Sequence, residues 1–172
     1  MGTIQHYLAQ ELIGQDPFDT ERIWQAMDLA APENTMAKTA IDLALYDVMG
    51  KALNVPLSKL IGGRVRDKIP LTGIVGLGSL KDMMLATEYW LENGYKTIRL
   101  KIGMGREKDR ELVRTGRETV GGDVKIRVDA NQAYRPKQAV QVIKAIEEFD
   151  VEFVEQPIAA WDFEGLTYVR NH

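Results

Sequence analysis

Three short stretches decide the fold: Thr97-Ile98-Arg99-Leu100-Lys101-Ile102-Gly103, Val124-Lys125-Ile126-Arg127-Val128-Asp129-Ala130-Asn131-Gln132 and Val151-Glu152-Phe153-Val154-Glu155-Gln156-Pro157. Each is rich in β-branched residues and ends in a turn signal, the pattern of a buried or half-buried strand. Between the second and third, residues 135–149 carry Pro136 near a first turn and Ala139, Val142, Ile143 and Ile146 at spacings of three and four, which predicts one helix with one apolar stripe. Strand and helix alternate without hairpin signals. The alternation implies parallel strands with right-handed crossovers, which puts all the strand ends on one shared face. In a (β/α) barrel that face carries the active site.

Working outward, residues 69–74 read as an earlier strand with Pro70 at its start, followed by a glycine-containing loop (Gly73, Gly76, Gly78) and a helix capped by Ser79 and stopped by Gly94. Strand centres then fall near residues 72, 99, 126 and 153, an interval of about 27 that compares with roughly 31 per unit in a typical barrel. Residues 67–172 are therefore expected to form four βα units of a TIM-type barrel. Upstream, residues 3–31 read as helical with a break at Gly14-Gln15-Asp16-Pro17. Residues 35–53 form the strongest helical pattern, with Ala37, Ala40, Ile41, Ala44, Leu45, Val48, Met49 and Ala52 on one face that should be buried.

The chemistry is suggested by what stands at the strand ends. Asp129 and Glu155 lie 26 residues apart, about one βα unit, so neighbouring strands would aim two carboxylates at one cation. Mg²⁺ suits them, because it takes hard oxygen ligands and keeps waters or substrate oxygens in its shell. Lys101 stands at the same level one strand earlier. A lysine held beside a divalent cation and away from water has its charged form disfavoured by like charge and by desolvation, and so can serve as a base.

Composition narrows the class of partner. The chain has 172 residues, a net charge of −3 and no cysteine. No apolar run approaches the roughly 20 residues of a membrane span, and no signal pattern opens the sequence. Dispersed charge of slightly acidic balance argues against nucleic acid, and the alternating run Arg106-Glu107-Lys108-Asp109-Arg110 reads as a solvated helix face. A cytoplasmic protein that binds neither membrane nor nucleic acid is expected.

Four motifs in order carry a resemblance: Ala40-Ile41-Asp42-Leu43-Ala44-Leu45-Tyr46-Asp47 with Gly50-Lys51, Pro56 and Gly62-Gly63; Arg99-Leu100-Lys101; Val128-Asp129-Ala130-Asn131-Gln132; and Glu155-Gln156-Pro157. They resemble the enolase superfamily in its mandelate racemase and muconate lactonizing branch. The resemblance implies an α/β fold, with residues 1–66 as the helical part of a capping domain and connector and residues 67–172 as the N-terminal half of the barrel. It implies Mg²⁺-dependent abstraction of the proton α to a carboxylate through an enolate intermediate, by a racemase, epimerase or cycloisomerase. Lys101 would be the base, Asp129 and Glu155 metal ligands, and Arg99 and Asn131 substrate contacts. Arg99 departs from the family, which usually has lysine there, and the two are not interchangeable.

The resemblance also implies an internal fragment of a homo-oligomeric enzyme acting on small carboxylates, weak or inactive alone. Alternatives are a sugar-acid dehydratase of the mandelate racemase type and a non-catalytic half-barrel that only self-associates.

Overall fold

The computed structural model describes residues 2–172, and the chain divides into two compact units, Met1–Lys68 and Ile69–His172. In the first, a π-helical segment, Ile4–Leu8, runs into α1, Ala9–Leu12, and α2, Thr20–Ala30, α3, Thr35–Leu53, and α4, Leu57–Leu60, come after it. Leu8, Ile23, Met27, Ala31 and Ile41 form its core. Trp24 donates its indole N–H to Asp42 at 2.7 Å, so that aspartate is structural. Asn54 takes the left-handed conformation that stops α3, and the N–H of Val55 returns to the Gly50 carbonyl.

The face of α3 is not the one its spacing predicts. Ile41 and Met49 are buried, but Ala40, Ala44, Val48 and Ala52 are exposed, and Lys38 is buried on the Ile41 side with its ammonium 2.5 Å from Asp28. The physical reason lies in the composition: apolar residues surround this helix, Leu43 and Val48 as well as Ile41, so spacing alone selects no single buried side.

The second unit is a sheet of four parallel strands in the order β1-β2-β3-β4: β1, Gly73–Val75; β2, Thr97–Lys101; β3, Lys125–Asp129; β4, Val151–Glu155. The helices α5, Leu80–Glu92, α6, Arg106–Val120, and α7, Pro136–Ile146, connect them, and α8, Phe163–Asn171, succeeds the last. This is the expected partial TIM barrel. β1 is shorter than residues 69–74 suggest and begins at Gly73, beyond Pro70, which has no N–H to give a ladder. Gly73 is itself part of the strand and not of a flexible loop. A Cβ there would lie 2.5 Å from Cγ of Trp90, whose indole N–H donates to the Ile74 carbonyl.

Strand alternation separates stability from chemistry. Ile98, Leu100, Ile126 and Val128 are wholly buried with Met83, Leu112, Val113, Val142 and Ile146. Full burial of each such side chain contributes about 1.5–3 kcal/mol. The intervening residues Arg99, Lys101, Arg127 and Asp129 take the opposite face, which is free to be polar because the helix side already supplies the core.

β4 would break this alternation without a correction. Its register against β3 moves by one residue: Ile126 pairs with Val151, Val128 with Val154 and Asp129 with Glu155. Glu152 and Phe153 therefore both stand opposite Arg127, whose Nε lies 2.5 Å from Glu152 and whose guanidinium lies 5.0 Å from the Phe153 ring centre. This β-bulge absorbs the extra residue. It brings Val151 and Val154 both to the core and turns Glu155 to the face of Asp129.

Candidate active site

β2, β3 and β4 end side by side, with Lys101, Asp129 and Glu155 as their last residues and in register with one another. All five residues singled out from the sequence meet here. Lys101 donates from Nζ to Asp129 Oδ2 and to Asn131 Oδ1, each at 2.5 Å. Arg99, two residues earlier on β2, directs one guanidinium nitrogen at both carboxylates, 2.8 Å from Glu155 Oε2 and 3.8 Å from Asp129 Oδ2. Its Nε is buried and makes no hydrogen bond.

Local backbone geometry explains how Asn131 reaches the cluster. After Asp129 the chain turns through Asn131 and Gln132, both with positive φ, and the Asn131 N–H donates to Asp129 Oδ1 at 2.9 Å. Asparagine tolerates that conformation because its short polar side chain finds local partners. The Asn131 amide also donates to Asp129 Oδ2 at 3.3 Å. Parallel pairing continues past the strand ends, from the Ala130 N–H to the Glu155 carbonyl and from the Gln132 N–H to the Gln156 carbonyl.

Asp129 is the electrostatic centre. Its side chain is 2% exposed, against 21% for Lys101 and 43% for Glu155. Burial alone would raise the pKa of its carboxyl. The Lys101 hydrogen bond, the Asn131 N–H and the Arg99 charge outweigh burial and hold it below the usual aspartate value.

Two carboxylates that already face one shared cationic nitrogen supply the hard oxygen donors that Mg²⁺ favours, so Asp129 and Glu155 fit that ion. Among the described residues no cluster of three or more His, Cys, Asp or Glu gathers. Two carboxylates alone would leave the remaining positions of such an ion to waters or other oxygens.

Sequence reasoning missed Asp109 and Tyr134. The run around Asp109 reads as a solvated face, yet Asp109 is fully buried. It accepts hydrogen bonds from the backbone N–H groups of Gly103 and Met104 and from the Tyr134 hydroxyl. The available signal was its place on the stripe of Leu112, Val113, Gly116 and Val120, all buried in α6. Nothing in the sequence marks Tyr134.

Comparison with known proteins finds related sequences and structures. Residues 1–62 match the mandelate racemase / muconate lactonizing enzyme N-terminal domain, and residues 82–172 match the enolase C-terminal domain-like family. The hydrophobic dipeptide epimerase of Enterococcus faecalis is 40% identical over 99% of this chain and 48% of its own length. A structure of the dipeptide epimerase from the same organism, complexed with Mg and the dipeptide L-Leu-L-Tyr, superimposes with a TM-score of 0.88 at 39% identity, covering 95% of this chain and 46% of that one. The N-succinyl Arg/Lys racemase of Bacillus cereus gives a TM-score of 0.91 at 32% identity, over 99% and 46% respectively. Curated relatives include epimerases, racemases and cycloisomerases. The chain spans about half the length of the curated relatives it matches. Among the described residues no helix is long and apolar enough to cross a membrane.

Proposed function

The chain belongs to the mandelate racemase and muconate lactonizing enzyme family of the enolase superfamily, and from that premise we propose that it carries the base and two metal ligands of a Mg²⁺-dependent racemase, epimerase or cycloisomerase. Residues 1–66 serve as the helical part of its capping domain and residues 67–172 as the barrel half that bears the chemistry. The substrate is a small carboxylate that carries a proton on its α carbon. The observation that carries the proposal is the meeting of Lys101, Asp129, Asn131, Arg99 and Glu155 at three adjacent strand ends.

Each side chain has a role its position suits. Lys101 takes the α proton at Nζ, and Asp129 Oδ2 and Asn131 Oδ1 are the acceptors that orient the ammonium so formed. Asp129 and Glu155 hold Mg²⁺, which when bound supplies the positive charge that stabilises negative charge growing on the substrate carboxylate. Arg99 has a planar fork of donors suited to a carboxylate oxygen pair. The dipeptide bound in the Enterococcus faecalis structure makes N-acylated or dipeptide carboxylates the first substrates to try.

Calorimetric titration of Mg²⁺ into the wild-type polypeptide, Asp129→Asn and Glu155→Gln tests the metal assignment. Saturable binding that both substitutions abolish is the expected result, and binding indifferent to both would refute it. Exchange of the substrate α proton in D₂O, followed by proton NMR and lost in Lys101→Gln, tests the base.

A further inference from the structure

Lys101 is the last residue of β2, and the loop that leaves it has much conformational freedom to lose. Gly103 and Gly105 both have positive φ, 126° and 106°, and glycine surrenders more backbone entropy on ordering than any other residue. Three successive N–H groups of this loop are nonetheless fixed. Asp109 accepts those of Gly103, at 3.1 and 3.2 Å, and Met104, at 3.0 Å, while the Tyr134 hydroxyl accepts that of Gly105 at 3.3 Å and donates to Asp109.

The two partners come from different parts of the chain. Asp109 lies in the first turn of α6. Tyr134 stands three residues beyond Asn131, and its backbone N–H donates to the carbonyl of Pro157, two residues past Glu155. One phenol and one carboxylate thus join the segments leaving all three strand ends of the site. Burial, and then the neighbouring carboxylate, raise the Tyr134 pKa, so the hydroxyl keeps its proton and remains a donor.

We infer that Asp109 and Tyr134 are positioning residues for Lys101. By fixing residues 103–105 against the segment that carries Asn131, they hold the end of β2 so that Nζ keeps both of its 2.5 Å acceptors. Without them the strand end that carries this four-carbon stem runs into an unfixed glycine-containing turn, and a base displaced by about 1 Å loses much of its effect. The inference rests on the assignment of Lys101 as a base oriented by Asp129 and Asn131.

The experiment is competitive acetylation of the folded polypeptide at one pH, with labelling of Lys101 measured by peptide mass spectrometry against exposed Lys96 and Lys144 as internal references. Tyr134→Phe removes a single hydroxyl and carries the test even if Asp109→Asn does not fold. Expected is a rise in the Lys101 ratio of about fivefold, the size of one hydrogen bond lost, with the references unchanged. An unchanged Lys101 ratio in folded Tyr134→Phe overturns the inference; labelling that rises equally at all three lysines leaves that ratio unchanged and counts the same way. Asp129→Asn is the control for the premise: if it leaves the Lys101 ratio unaltered, Asp129 does not orient Lys101 and the premise of the inference fails.

Discussion

Replacing Arg117 by alanine tests the end of the sheet opposite the site. The guanidinium donates to four backbone carbonyls: Phe149 at 3.0 Å, Gly121 and Val124 at 2.7 Å, and Asp150 at 2.9 Å. Bonds from a charged donor contribute about 1.5–3 kcal/mol each when buried and much less in water. Only those to Phe149 and Val124 count, and because they are partly and not fully buried the lower part of that range applies to each, so about 3–4 kcal/mol is at stake. Alanine recovers about 1.5–2 kcal/mol of side-chain entropy, which leaves a net loss of about 2 kcal/mol. Arg114, three residues earlier on α6, makes one exposed 3.5 Å contact with Glu118, worth about 0–0.5 kcal/mol. Urea unfolding followed by circular dichroism should therefore separate two arginines of one helix: Arg117→Ala lower by about 2 kcal/mol, Arg114→Ala within about 0.5. Arg117→Lys should fall between, because an ammonium cannot fork to four carbonyls. Equal stabilities for the two alanine variants would show that the carbonyl clamp contributes nothing.

The stability contributed by Asp129 should depend on pH, with a definite sign. Its folded pKa is lowered, so its contribution is present above the ordinary value of 3.8 and is lost as pH falls through the folded one. The gap in unfolding free energy between wild type and Asp129→Asn should hold constant above about pH 5 and narrow in stronger acid; a gap unchanged down to about pH 2 would contradict the ion-pair geometry. The bulge in β4 makes a second prediction. Deleting Phe153 leaves Val151, Val154 and Glu155 at their present partners, so Mg²⁺ affinity measured by calorimetry should stay within about threefold of wild type. Inserting alanine between Val154 and Glu155 turns the glutamate to the helix side and should abolish binding; the opposite pattern would mean that strand register does not place this ligand. Arg99→Met removes the cation that bridges Asp129 and Glu155. Mg²⁺ should then bind at least about threefold more tightly, the scale of one partly exposed ion pair, whereas unchanged or weaker binding would show that Arg99 and the ion do not compete.

The three strands 97–101, 125–129 and 151–155 were legible because β-branched residues crowd them and a turn closes each. Their terminal Lys, Asp and Glu were legible because strand ends in a parallel sheet share a face. The missed features have physical causes. The extent of β1 depends on a proline without an N–H and on a tryptophan packed over Gly73, neither of which periodicity registers. In α3 apolar residues on every side left the buried face to tertiary packing, which chose Lys38 and Ile41 over Ala40 and Ala44. Asp109 was hidden by its charged neighbours, although its place on the apolar stripe of α6 could have exposed it. The β4 bulge is foreshadowed in Val151-Glu152-Phe153-Val154-Glu155, whose two valines, like its two glutamates, stand three residues apart, a spacing that no regular strand places on one face.

The strand order β1-β2-β3-β4 also has a consequence in time. Each strand pairs with the one synthesised about 27 residues before it. A ribosome adding about 5–20 residues per second delivers one such unit in roughly 1–5 s, whereas local helices and short loops form within about microseconds. Every unit can thus dock on its predecessor before the next is complete, and a nascent chain need not wait for distant partners. The contact between Arg99 and Glu155 is an exception, spanning 56 residues. Vectorial growth makes it among the last to close, so the charged cluster assembles only once the framework beneath it is already in place.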